Sequence, residues 1–82
     1  MKNFYYVYIL ISEKYNNQKY VGYTINLKAR LKKHNAGGCI HTSKYKPWRI
    51  ETAIAFRSKE KACAFEKYLK SGSGREFTIR HL

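Results

Sequence analysis

Two short runs of apolar residues near the start of the chain set the pattern for everything after them. Phe4–Ile11 holds only aromatic, β-branched and aliphatic residues, and Lys19–Thr24 repeats that character after a polar turn through Glu13–Gln18. Such residues favour a pleated backbone, and a short polar connection between them predicts an antiparallel hairpin. Alternation then places Tyr6, Tyr8 and Leu10 on one face of the first strand, and Tyr20, Gly22 and Thr24 on one face of the second. Phenols from both strands can share a region. Gly22 weakens a strand, so its place implies close approach by another backbone or a ligand.

Beyond the hairpin the period changes. Asn26 can cap a helix from Leu27 to about Ala36, stopped by Gly37-Gly38, with Leu27, Leu31 and His34 inward and Lys28, Lys32 and Lys33 outward. Arg30 and His34, four apart, are neighbours on that helix. A loop follows from Gly37 to Arg49. Ile50–Phe56 then alternates, putting Ile50, Thr52, Ile54 and Phe56 on one face of a third strand. Ser58 caps a second helix from Lys59 to about Lys70, and the tail from Ser71 carries a helical turn or two. The expected fold is α/β (α+β), a three-stranded antiparallel sheet flanked by helices in the order β-β-α-β-α with a short C-terminal helix, forming one domain over residues 1–82.

Charge narrows the class of partner. The chain has 82 residues, 17 lysines and arginines against 5 acidic residues, a formal charge of +12 and no aspartate. Such an excess repels itself in a compact state and points to a polyanion, of which nucleic acid is the commonest. No long apolar stretch or lipidation motif suggests a membrane, and the first strand begins too early to leave room for a signal peptide, so the expected location is cytoplasmic. Cys39 and Cys63 are far apart and are not expected to pair. His34, Cys39 and His41 cluster loosely without the paired spacing of a zinc site.

The loop carries His41, Thr42, Lys44, Tyr45, Lys46 and Trp48, the mixture of cations, hydroxyls and rings that holds phosphates and stacks on bases. Phosphate contact and plain solubility account equally well for its lysines, and Trp48 is expected to fold back over an edge of the core. In the second helix Glu66 falls within the apolar stripe of Ala62, Phe65 and Leu69. A buried carboxylate requires a partner. An ion pair with Arg30 or a lysine would supply one, and so would a metal.

Tyr6-Val7-Tyr8, Tyr20-Val21-Gly22, the Arg30-x-x-x-His34 pair and the later Glu66 together resemble the GIY-YIG nuclease superfamily. The likeness covers nearly the whole chain. It looks closest to small stand-alone members related to the amino-terminal nuclease domain of the excision-repair incision subunit, and the run from Tyr68 to Arg75 is similar to them as well. The resemblance implies a metal-dependent endonuclease acting on DNA, in repair or processing, with low intrinsic sequence specificity. One divalent cation, magnesium or manganese, would sit on Glu66, and Arg30 would hold the scissile phosphate. Tyr8 or Tyr20 would draw the proton from water, and His34 would relay that proton or orient a tyrosine. Gly22, Tyr23, His41, Lys44, Lys46, Lys70 and Arg75 are the expected nucleic-acid contacts. The alternative is a non-catalytic DNA- or RNA-binding module that keeps the fold, and a protein partner would be one source of specificity. The chain departs from the family where Tyr6 replaces its first glycine and where Tyr23 stands in place of a common lysine. It also has no asparagine after Asn35, where several members carry one near the carboxyl end.

Overall fold

The computed structural model describes residues 4–82. Strand β1 (Tyr5–Ser12) is central, with β2 (Lys19–Thr24) and β3 (Trp48–Phe56) antiparallel on either side. The hairpin expected from the two apolar runs is present, with Tyr8 opposite Gly22 and Leu10 opposite Tyr20. Helix α1 (Leu27–Asn35) follows β2, and α3 (Lys59–Leu69) follows β3.

Both predicted caps form. The Asn26 side chain accepts the Ala29 N–H, and Ser58 accepts that of Lys61. Each satisfies a backbone donor that a helix start leaves without a partner. Gly37, at φ 81°, turns the chain out of α1 in the left-handed conformation that glycine takes most cheaply.

The sheet separates two cores. On one face Val7 and Ile9 pack against Ala62 and Leu69 of α3, with Tyr5, Val21, Tyr23, Phe56, Phe65 and Phe77 around them. On the other, Tyr8, Leu10 and Trp48 pack with Tyr20, Leu27, Leu31, Tyr45 and Ile50. Simple alternation put Ile50 on the same face as Thr52, Ile54 and Phe56. The structure corrects this: Ile9 pairs with Thr52 but Leu10 pairs with Ile50, so Glu51 is an extra residue in β3. That bulge reverses the side-chain sense of everything before it in the strand. Ile50 and Trp48 are thereby delivered to the tyrosine face.

Two further differences concern helices. The segment read as a loop contains a single turn, α2 (Ile40–Ser43), too short to show a period. The tail forms a full helix, α4 (Gly72–His81), where a turn or two was expected. Gly72 and Gly74 lower its helix propensity, but the Ser71 hydroxyl accepts the Gly74 N–H and starts it. Gly74 is buried where α4 leaves α3, and a Cβ there would overlap the Tyr68 carbonyl and the Leu69 backbone. Gly74→Ala is therefore expected to destabilise the fold by about 1–3 kcal/mol, as overpacked sites do. Urea unfolding beside Gly72→Ala, where a Cβ meets nothing within 4 Å, measures the difference.

Candidate active site

Alternation along β1 turns Tyr8 toward α1, where its side chain is 1% exposed. Its ring lies over Gly22, and a Cβ on that residue would come within 2.5 Å of Tyr8 Cζ and 3.0 Å of Tyr20 Cε2. The glycine thus makes room for a tyrosine ring, and because Gly22 is itself buried it offers no open surface to nucleic acid.

His34 is 0% exposed and meets the Tyr8 hydroxyl through Nε2 at 3.0 Å and the Thr42 hydroxyl through Nδ1 at 2.8 Å. Thr42 donates its own proton to the Cys39 carbonyl, so its oxygen accepts from Nδ1–H. That assigns the tautomer: Nε2 is the acceptor, and the Tyr8 O–H donates to it. Tyr20 completes the aromatic cluster, its ring centroid 4.9 Å from His34 and 6.3 Å from Tyr8.

Arg30, one turn before His34, brings its positive charge near the Tyr8 hydroxyl. Four of the expected residues, Tyr8, Tyr20, Arg30 and His34, therefore converge. Burial, and then the neighbouring Tyr20, push the Tyr8 phenol up to about 12, with Arg30 opposing them. His34 is pushed down, first by burial and then by the charges of Arg30 and Lys33. Both shifts favour the neutral pair. With both imidazole nitrogens engaged, and no three His, Cys, Asp or Glu side chains grouped among the described residues, the loose His34, Cys39 and His41 cluster is not a zinc site.

Thr42 was read as a phosphate-gripping hydroxyl; it is buried and serves His34 instead. Nothing in its sequence context distinguishes it from its neighbour Ser43. Trp48 folds inward as expected and fixes the connection, its indole N–H donating to the Thr42 carbonyl at 2.9 Å and its backbone joined to the Asn35 amide. His41, Lys44 and Lys46 are exposed on the segment that supplies Thr42.

Other expected contacts lie elsewhere. Tyr23 alternates to the opposite face and stacks on Tyr5, since it is one residue out of phase with Gly22. Lys70 and Arg75 line a cleft along the outer edge of β2. Glu66 belongs to α3, the helix on the face away from Tyr8, and it sits at the flank of the apolar stripe, its side chain 22% exposed, paired with Lys70 at 2.7 Å. The lysine partner weighed from the sequence is the one found; full burial is not. Its chemistry fits a hard divalent ion that keeps much of its water and takes further oxygens from a substrate phosphate. Tyr20 and Lys70 line the same cleft, so the edge of β2 links the tyrosine cluster to the Glu66 pair.

These placements predict two stability effects. Gly22→Ala is expected to cost about 1–3 kcal/mol and to displace the Tyr8 ring, because the ring is enclosed; urea unfolding and the Tyr8 ring resonances report both. The pH profile follows from the protonation states. Since the fold disfavours the imidazolium of His34, the unfolded chain takes up the proton first, and stability falls as pH drops below about 6.5. The Tyr8 contribution is complete below the free phenol value of about 10 and is lost as pH rises toward 12, reaching ~3 kcal/mol there. His34→Gln should flatten the acid limb and Tyr8→Phe the alkaline limb.

Comparison with known proteins agrees with this geometry. The family model described as the GIY-YIG catalytic domain matches residues 4–79. The UPF0213 protein BH0048 of Halalkalibacterium halodurans is 40% identical over 72 residues, covering 87% of this chain and 74% of that protein. Its solution NMR structure, recorded under Bacillus halodurans, matches with a TM-score of 0.56 and 35% identity over 94% of this chain and 83% of that one. A structure-specific endonuclease subunit SLX1 homolog of Drosophila persimilis is 38% identical over 73 residues, which is 78% of this chain and 25% of that protein. The chain thus spans about a quarter of the length of that relative. With a family match over nearly all its residues and the two motif tyrosines, the arginine and the histidine on one face, this chain belongs to the GIY-YIG nuclease family.

Proposed function

We propose that this protein is a divalent-metal-dependent endonuclease that hydrolyses DNA phosphodiester bonds, with a role in DNA repair or processing. The observation that carries the reading is the hydrogen-bonded line Tyr8–His34–Thr42, buried beneath Tyr20 and Arg30. Polar atoms buried in such a line are costly unless partnered, and here each is engaged.

The roles divide by exposure and by proton position. Tyr8 commits its proton to His34, and its oxygen lies within the field of the Arg30 charge. Arg30 then presents its N–H groups to the non-bridging oxygens of a phosphate, for which its planar fork is suited. Tyr20 is the less buried phenol and is the group placed to take a hydrogen bond from the attacking water. Tyr8, with its raised pKa, orients instead of acting as base. Glu66 would hold the cation, magnesium or manganese, which supplies charge stabilisation for the leaving oxygen when bound.

Positive charge on the α2 segment, from Lys44 and Lys46, extends the surface beside this cluster toward a nucleic-acid backbone. Specificity in this proposal is for DNA structure or comes from a partner.

Supercoiled, branched and single-stranded DNA incubated with magnesium, manganese or chelator tests the proposal. Chelator should abolish cleavage. Tyr20→Phe, Arg30→Ala and Glu66→Gln should each lower the cleavage rate by about 10²-fold or more while DNA is still bound. Equal cleavage by all variants would identify a contaminant. Binding without cleavage under every condition would favour the DNA- or RNA-binding module.

A further inference from the structure

The turn between β1 and β2 meets the segment after α2 at the Ser12 end of β1. Main-chain groups hold this turn. The Ser12 hydroxyl accepts the Lys14 and Tyr15 N–H groups and donates to the Tyr45 carbonyl at 2.6 Å. The Glu13 N–H donates to the Pro47 carbonyl at 2.9 Å, and the Gln18 N–H donates to that of Tyr15 at 2.8 Å. None of these bonds involves the Tyr15 ring, which belongs to a residue 47% exposed in the middle of a polar turn.

A single exposed ring calls for no special account, but this one is fixed in place. Tyr45 meets it edge to face, with centroids 5.6 Å apart and planes at 85°, and Tyr45 is itself set edge-on to the buried Trp48 at 6.4 Å and 79°. The Trp48 indole holds Thr42, which holds His34, so the series of contacts runs back to the tyrosine cluster. Charge around the pair is mostly positive. The Lys44 ammonium lies 6.0 Å from the Tyr45 ring centroid, Lys14 and Lys46 adjoin the two tyrosines in sequence and are exposed, and Glu13 is the only acid in the turn or between Gly37 and Arg49. A half-exposed ring of set orientation with cations at its rim suits a nucleic-acid base: the ring stacks on it and the lysines take the adjoining phosphates. A base inside a duplex has both faces covered by its neighbours, so only an unpaired one can offer its face.

We infer that Tyr15, braced by Tyr45, is a stacking platform for an unpaired base of the substrate strand, and that it favours single-stranded arms and frayed ends over intact duplex. The inference rests on the nuclease reading for the identity of that strand as DNA. It supplies a residue for the structural specificity which that reading leaves open. From Tyr8 to Ser12 is about 13 Å of strand at roughly 3.3 Å per residue, so the platform lies a few nucleotides from the tyrosine cluster. A base seated on Tyr15 therefore limits which phosphate reaches Arg30.

The test measures binding of the whole chain by fluorescence anisotropy, without metal so that no cleavage intervenes. The probes are a single-stranded oligothymidylate, an abasic strand with the same number of phosphates, and a blunt duplex. The wild-type chain is expected to bind the thymidylate strand about tenfold more tightly than the abasic one. Tyr15→Leu should bring that ratio close to one while leaving the abasic strand and the duplex bound as before, and Tyr15→Phe should keep the wild-type ratio, because the ring and not the hydroxyl stacks. The Ser12 main-chain bonds survive either change, and an amide spectrum altered only around the turn and Tyr45 checks that the fold is kept. Equal binding of the two single strands by the wild-type chain, or a wild-type ratio in Tyr15→Leu, would overturn the proposal. So would a Tyr15→Leu variant that weakens all three probes alike, since the ring would then be a brace for the Lys44 segment. Cleavage is read separately with magnesium. Base-dependent binding with no cleavage sinks the nuclease reading and leaves the platform as a binding site, whereas cleavage with no base dependence sinks the platform alone.

Discussion

A phenol taken out of water must place its proton, and the placement of the Tyr8 proton governs much of what surrounds it. The ring can lie over Gly22 only because that residue has no side chain, and its hydroxyl can be buried only because His34 accepts from it. His34 can accept at Nε2 only because Thr42 takes the proton on Nδ1, and Thr42 is held by the one-turn helix and the Trp48 indole. Arg30 completes the arrangement from the same helix as His34. No side-chain polar atom among the described buried ones lacks a partner, so the chain of dependence is closed.

The sheet divides labour between its faces. The α3 face is an ordinary aliphatic and aromatic core. The α1 face is smaller, and its packing residues are in large part the same tyrosines and histidine that form the site, so a change that loosens Tyr8 affects both stability and geometry. Charge is distributed to match: the described ion pairs are Arg49–Glu51 and Lys70–Glu66, at the surface, while most of the lysines stand in solvent. A chain with so few acids cannot neutralise itself internally, and a polyanionic partner removes that repulsion.

Much of this was legible in the sequence, and the failures have definite causes. The β2 boundaries, both helix caps and the Arg30–His34 pairing follow from local chemistry, which the tertiary fold did not override. The bulge at Glu51 was invisible because alternation through Ile50, Thr52, Ile54 and Phe56 is unbroken; only pairing with β1 shows that one residue has no partner. Helix α4 was underestimated because its glycines argue against a helix, whereas Gly74 is there to let two helices approach. Tyr23, Lys70 and Arg75 were expected to contact nucleic acid; Tyr23 alternates to the face opposite Gly22, while Lys70 and Arg75 line the cleft that Tyr20 also lines. Glu66 was rightly singled out as a carboxylate needing a partner, and its lysine partner, one helical turn away, was among those weighed.

The bulge has one more effect. Because β3 changes sense at Glu51, a single strand contributes Phe56 to one core and Ile50 and Trp48 to the other. Neither core retains its complement of side chains if that strand detaches, so the two layers lose structure together and not one after the other. In a domain this small the bulge converts two modest clusters into one cooperative unit, and the site shares in the stability of the whole.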